Sequence, residues 1–299
     1  MRAHSAAVTL ALACVAPWLA AQELSLPNKP GTVKFAVIGD TGTGSRQQVE
    51  VGTLMAAYHK KFPFTFVVMV GDNMYGSQAP PDFLSKFEAP YKELLSSNVR
   101  FYAALGNHDE AGQKNYKLFN MAGERYYAFR ANASDVGTKV DKGVRFYALD
   151  SNYMDKTQLD WIEKQLKTTD ADWKICFFHH PLYSSARKHG SALDLRKALE
   201  PLFIQYKVDV VLAGHEHVYE RIKPQQGVYY FISGAGGTLR KGDLRPSQYT
   251  AAGFDQDYHF MLFEVDGDEM HFQAVSRVGK TVDSGVIKRP AAAAPAAAH

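Results

Sequence analysis

Read for apolar and polar positions, the chain alternates short apolar runs with amphipathic stretches. "VKFAVIGD" precedes a helical pattern near Gln47 to Lys60, "FTFVVMVGD" precedes the amphipathic "PDFLSKFEAPYKELLSS", and "VRFYAALGNHD" follows. In the second half "GVRFYALDS" leads into the helical "TQLDWIEKQLKT", "WKICFFHHP" into "LRKALEPLFIQY", and "VDVVLAGHEH" closes the series. Brief apolar runs between segments of helical periodicity predict a βαβ rhythm, hence an α/β fold. After Gly227 the pattern changes to strand and turn in "GVYYFISGAGG", "YHFMLFEVDGDEMHFQAVS" and "KTVDSGVIK", with "DGDE" supplying a hairpin turn. The sheet is therefore expected to become mixed. No internal repeat or second domain is visible, and one domain over residues 32–289 is expected.

The ends read differently. Arg2 and His4 precede the apolar stretch Ala6 to Ala16, and "APWLAAQ" offers small residues for cleavage near Ala20 or Ala21. Residues 1–21 thus predict a secretory signal peptide and an exported protein, periplasmic or extracellular. A retained anchor is the other reading; lipid attachment at Cys14 is disfavoured because Ala11 stands where a leucine is expected. No later segment reaches the length of a bilayer crossing. Residues 22–31 read as a linker and 290–299, "PAAAAPAAAH", as a disordered tail with nothing to bury.

Composition adds limits. With 299 residues, 46% hydrophobic and 22% charged, the chain has the balance of a globular protein. A net charge of +3 gives no general reason to expect nucleic acid or an anionic membrane as partner, so any preference for anions must be local. Once the leader is removed Cys176 is the only thiol, which excludes an intramolecular disulfide; inside an apolar run it reads as a core residue. Asn132 in "NAS" is a glycosylation acceptor only where the source performs that chemistry. The oligomeric state is not legible.

Five apolar runs end in a side chain able to bind a metal: Asp40, Asp72, Asn107, His179, and His215 with His217. In open α/β sheets ligand sites assemble at the carboxyl ends of strands. Taken singly, an Asp there is more often a turn residue or helix cap, and His179 beside His180 is as readily a loop histidine. Glycine directly before Asp40, Asp72, Asn107 and His215 sharpens the pattern, because glycine permits tight turns and close backbone approach. Carboxylates, an amide oxygen and imidazoles without cysteine suit Fe, Mn or Zn, and there are too many of them for one tetrahedral ion. Two ions roughly 3.5–4 Å apart form a clamp suited to in-line displacement at phosphorus.

"GDTG", "GDNMY", "GNHD", "FFHH" and "GHEH" occur in the order and approximate spacing of the five metal-binding blocks of the calcineurin-like metallophosphoesterases. Tyr75 in "GDNMY" narrows the resemblance to purple acid phosphatases, most like the small tartrate-resistant type, from about Lys34 to Ile287. The resemblance implies a four-layer α/β/β/α sandwich with two mixed sheets. It implies that Asp40, Tyr75 and His217 hold Fe(III), that Asp72 bridges, and that Asn107, His179 and His215 complete a divalent site for Fe, Zn or Mn. Glu216 would point away from both ions. Phosphate monoesters would be hydrolysed by in-line attack of metal-bound hydroxide, with His108 protonating the leaving alkoxide, Asp109 orienting its ring and His189 contacting substrate. Small phosphate esters would be the partners.

Two other readings stay open: a Mn- or Zn-dependent phosphodiesterase or nucleotidase, and a non-catalytic phosphate-binding module of the same fold. "SGAGGTLRKGDLR" lacks the Walker lysine spacing and reads as a turn beside the site, with Arg240, Lys241 and Arg245 in a solvated loop. The Asp pairs in "GFDQDYH" and "VDGDEM" lack the rest of a calcium loop.

Overall fold

The computed structural model describes residues 23–131 and 143–289. The expected leader, Asn132 and the Ala/Pro-rich residues 290–299 lie outside the described residues. In chain order the first half contains β1 (Val33–Ile38), α1 (Arg46–Lys61), β2 (Phe66–Met69), α2 (Pro80–Phe83), α3 (Lys92–Ser96), β3 (Arg100–Ala103) and β4 (Tyr127–Ala131). There follow β5 (Val144–Ala148), α4 (Lys156–Thr168), β6 (Trp173–Phe177), α5 (Leu193–Gln205) and β7 (Val210–Ala213). The last part is all strand: β8 (Tyr219–Ile222), β9 (Tyr229–Ser233), β10 (Thr250–Phe254), β11 (His259–Asp266), β12 (Glu269–Ser276) and β13 (Thr281–Lys288).

These strands form two mixed sheets, ordered β13-β12-β11-β1-β2-β3 and β10-β8-β9-β7-β6-β5-β4. In the first, β1, β2 and β3 are parallel and β11 pairs antiparallel to β1; in the second, β5, β6, β7 and β9 are parallel. Because successive residues of a strand face opposite ways, each apolar run feeds two cores. Phe35, Val37, Phe66, Val68, Phe146, Ile175 and Leu212 fill the space between the sheets. Their neighbours Ala36, Ile38, Val67 and Met69 face α1 through Val51 and Met55. Tyr147, Cys176, Phe178 and Val211 face α4 and α5 through Ile162, Leu199 and Phe203. The result is helix, sheet, sheet, helix.

The inter-sheet core is aromatic. Phe35 stacks between Phe66 and Phe263 at 5.5 and 4.9 Å, and Phe146 of the other sheet meets Phe35 and Phe66 edge-on at 5.1 and 5.3 Å. Such offset and edge contacts contribute about 1 kcal/mol each beyond burial. At the margin, Tyr219 and Arg221 of β8 both reach Asp283 of β13, at 2.6 and 2.7 Å.

Three features differ from the sequence expectation. The "PDFLSKFEAPYKELLSS" stretch is broken: a π-helical turn, Leu84–Glu88, follows α2, and Pro90, which has no N–H to donate, falls before α3. Strands β4, β8 and β10 were not foreseen; β4 and β10 are the outermost strands of the second sheet. Residues expected as a linker are docked instead: the buried Glu264 accepts the Asn28 and Lys29 amides at 2.6 and 2.7 Å, and Leu26 is buried. No helix among the described residues is long and apolar enough to cross a membrane.

Candidate metal centre

Parallel strands share a direction, so the loops leaving β1, β2, β3, β6, β7 and β9 lie along one rim. Backbone bonds lock them together: the Asp40 amide donates to the Gly71 carbonyl and the Gly214 amide to the His179 carbonyl, each at 3.0 Å. The Gly236 amide donates to the Gly39 carbonyl, also at 3.0 Å, joining the two sheets above their core. Asp40 (φ 55°), Asp72 (φ 49°) and His215 (φ 69°) are left-handed. That conformation costs a residue with a Cβ about 1–2 kcal/mol, and strain of this kind collects at functional sites.

All seven expected ligands come together there. Around Tyr75, the phenol oxygen lies 3.3 Å from Asp40 Oδ1, 2.9 Å from Asp72 Oδ2 and 3.2 Å from His217 Nε2. Around His179, Nε2 lies 3.1 Å from Asn107 Oδ1, 3.1 Å from His215 Nδ1 and 3.3 Å from Asp72 Oδ1. One Asp72 oxygen thus faces each group. His179 Nδ1 sits 3.0 Å from the Val70 carbonyl, which turns Nε2 toward the centre. Gly106 is required by contact rather than by turn geometry, since a Cβ there would lie 2.1 Å from Asp72 Oδ1.

Burial, and then the charge of Asp72, push the Asp40 carboxyl well above the usual range. Burial and then the neighbouring His179 and His180 rings hold His215 down to about 2; burial and then Arg240 hold His217 near 3. The ligand atoms of Asp40, Asp72 and His179 all lie within 4.8 Å of one another. Neutral imidazoles and crowded carboxylates aim lone pairs at one small volume, an arrangement that cations relieve. With oxygen and nitrogen donors and no thiol, the residues fit a pair of hard or borderline metal ions.

The residues expected around the ligands fall in distinct places. The His108 side chain is 52% exposed at the rim, its ring 4.8 Å from that of Tyr75, and its amide donates to Asp72 Oδ1 at 3.0 Å. Asp109 does not orient that ring. Its carboxylate accepts from the amides of Gly106, Asn73 and Met74 at 2.7, 3.1 and 3.0 Å and from the Asn73 and Gln113 side chains, so it ties two ligand loops together. His189 stacks on the His215 ring at 4.1 Å. His180 also lies against the site, its ring 4.4 Å from that of His215, with Nδ1 2.9 Å from Ser151 Oγ.

Glu216 does turn away from the ligands, yet it has work that the sequence did not reveal. Fully buried, its Oε1 accepts the His189 and Gly190 amides at 3.0 and 2.5 Å, while Oε2 lies 3.7 Å from His189 Nδ1 and 3.8 Å from Arg240 Nη1. Arg240, expected in a solvated loop, is therefore a cation beside the site. A carboxylate between two histidines was the only visible signal. Asp150 was also passed over, although it ends the run "VRFYAL" as the other site residues end theirs. It anchors Arg125 at 2.9 Å and the Asn152 amide at 3.0 Å.

A sequence profile described as calcineurin-like phosphoesterase matches residues 33–219. "Purple acid phosphatase 3" of Arabidopsis thaliana is 31% identical, over 84% of this chain and 80% of its own. "Tartrate-resistant acid phosphatase type 5" of Oryctolagus cuniculus is 26% identical, over 70% of this chain and 74% of its own. Among solved structures, a purple acid phosphatase from yellow lupin (Lupinus luteus) seeds superposes with a TM-score of 0.68 at 22% identity, covering 89% of this chain and 55% of that one. These similarities agree with the four-layer fold and the converged donor set: the chain belongs to the calcineurin-like phosphoesterase family of hydrolases, among relatives that are purple acid phosphatases.

Proposed function

We propose that the chain is an exported acid phosphatase that hydrolyses phosphate monoesters at a pair of cations, water attacking in line with the departing alcohol. The observation that carries this reading is the Asp72 carboxylate, with Oδ2 2.9 Å from Tyr75 Oη and Oδ1 3.3 Å from His179 Nε2, as a bridge between two ligand groups requires. Asp40, Tyr75 and His217 would hold Fe(III); Asn107, His179 and His215 would hold the divalent ion, Fe, Zn or Mn. When bound, the cations supply an acidified water and neutralise charge on the phosphate oxygens.

The remaining work belongs to the chain. His108, held through its amide by Asp72, presents an imidazole at the open rim, where it protonates the leaving alkoxide. His189 and Arg240, both set by Glu216, offer positive or hydrogen-donating groups to the phosphate oxygens. Asp109 is a positioning residue, fixing the loops of Asp72 and Asn107 relative to each other. Export rests on the leader pattern of residues 1–21.

The test combines initial rates on an aryl phosphate monoester and the matching diester with a metal count and visible spectrum of the same sample. Faster monoester turnover, about two metals per chain and a tyrosinate-to-iron band that Tyr75→Phe abolishes are expected. A colourless Mn or Zn protein that prefers the diester would favour the phosphodiesterase reading. Phosphate binding without turnover would favour the binding module.

A further inference from the structure

In the first sheet the ligand loops follow β1, β2 and β3, and each meets the second sheet in its own way. The Asp40 loop receives the Gly236 and Gly237 amides on the Gly39 and Asp40 carbonyls, at 3.0 and 3.1 Å, and the Asp72 loop places the Val70 carbonyl 3.0 Å from His179 Nδ1. The backbone of the Asn107 loop is held instead by the turn after β5, residues 150–152, which carries no expected ligand.

That turn is fixed from behind. Gln158, buried in the first turn of α4, accepts the Asp150 amide at 2.8 Å and donates to the Asp150 and Tyr153 carbonyls at 3.0 and 3.1 Å. Asp150, itself buried, takes Arg125 on Oδ2 at 2.9 Å and the Asn152 amide on Oδ1 at 3.0 Å. With its backbone held, the turn aims its next two side chains at two different ligand loops. Ser151 Oγ accepts the His180 amide at 3.1 Å and lies 2.9 Å from His180 Nδ1, which fixes the residue directly after His179. Asn152 Nδ2 donates to the Leu105 and Gly106 carbonyls at 3.4 and 3.2 Å, which fixes the peptide that leads into Asn107.

The two ligands served this way belong together, Asn107 Oδ1 lying 3.1 Å from His179 Nε2. Asp109 also holds the Asn107 loop, but to the Asp72 loop of the same sheet; Asn152 ties it across to the other sheet. Among the described residues, Asp40, Tyr75 and His217 bond to one another and not to this turn. Asn107 is the one uncharged oxygen donor of its group, so its hold on a cation depends on exact placement.

Resting on the two-cation reading, we infer that residues 150–152 are a strut setting Asn107 against His179, that Ser151 and Asn152 are its positioning residues, and that the strut governs retention of the divalent ion without acting on the Fe(III) site. The test titrates Zn²⁺ into the iron-loaded full chain, freed of divalent metal, in competition with a chromogenic chelator, and records the visible spectrum of the same sample. Ser151→Ala and Asn152→Ala should each raise the Kd for Zn²⁺ about tenfold, the scale of losing a partner that orients a metal ligand, while the tyrosinate-to-iron band keeps its position and intensity. Asn152→Asp separates placement from charge. It adds a negative charge near a cation, which by itself tightens Zn²⁺ binding, but it turns an acceptor toward two carbonyls. Weaker Zn²⁺ binding is expected here too. Zn²⁺ held by the alanine variants as firmly as by the unaltered chain, tighter Zn²⁺ in Asn152→Asp, or an iron band that fades in step with Zn²⁺ affinity would overturn the assignment. If the unaltered chain takes up no Zn²⁺ beside iron, the two-cation reading itself fails, an outcome distinct from variants that bind Zn²⁺ unchanged.

Discussion

Glu216 shows how a single residue between two expected ligands, His215 and His217, serves the site through the backbone of another loop. Its Oε1 receives the His189 and Gly190 amides, so Glu216→Ala leaves two partly buried donors unmet at about 1–3 kcal/mol for each one that water cannot reach. Glu216→Ala should therefore lower stability by roughly 2 kcal/mol and kcat/KM by about tenfold as His189 loses its stack on His215. Glu216→Gln keeps an oxygen in place and should stay within about threefold of the unaltered rate, since hydrogen bonding rather than charge holds the loop. Urea unfolding and initial rates at a fixed metal content would check both. Six of the seven expected donors could be picked out because they stand at the ends of apolar runs, most of them behind or near a glycine, whereas Tyr75 entered only through the family resemblance. The role of Glu216 and the tie from Asp109 to the Asp72 loop were not legible, because the amides these carboxylates accept from there lie 26 to 36 residues away in sequence, which no local pattern encodes.

Among the elements, the loop after β9 decides whether the two sheets present one rim or two. The Gly237 and Thr238 amides both donate to the Asp40 carbonyl at 3.1 Å, and a Cβ on Gly237 would lie 1.8 Å from the Thr41 carbonyl oxygen. Since that obstacle is backbone, Gly237→Ala must displace one loop or the other. We expect a loss of about 1–3 kcal/mol, the usual cost of overpacking, together with weaker metal retention during dialysis against a chelator. Gly112, where a Cβ would meet nothing within 4 Å, is the control, and Gly112→Ala should change neither measurement appreciably. At this scale the helices α1, α4 and α5 and the strands of the βαβ series could be read from periodicity. Strands β4 and β10 could not, since their mixed burial follows from lying at the sheet margins rather than from an apolar run. The break between α2 and α3 follows from Pro90, which was visible, although the π-turn that accommodates it was not.

For the whole molecule, closing the two sheets buries His259 completely, with neither ring nitrogen hydrogen-bonded, near Tyr219 of the opposite sheet at 5.5 Å. Burial lowers its pKa to about 3 from the ordinary 6.5. Between those values the unfolded chain takes up a proton that the folded chain refuses, so the contribution of His259 makes stability fall as pH falls, by up to about 1.4 kcal/mol per unit. His259→Phe should accordingly lose less stability than the unaltered chain between pH 7 and pH 4.5 in denaturant titrations; equal losses would show that the ring is hydrated or protonated at little cost. The difference between the two chains isolates this residue from Asp209, whose carboxyl burial raises to about 6 and which acts in the opposite direction. By itself the sequence determined the alternation of elements, the donor types and their positions at strand ends, because strand and helix periods and glycine turns are local properties. Tertiary structure decided the distances that set the donors in two groups with Asp72 facing both, that Asp109 ties the loops of Asp72 and Asn107 together, and that Glu216 and Arg240 join the site. Those facts depend on two sheets closing over one aromatic core, which brings together loops far apart along the chain.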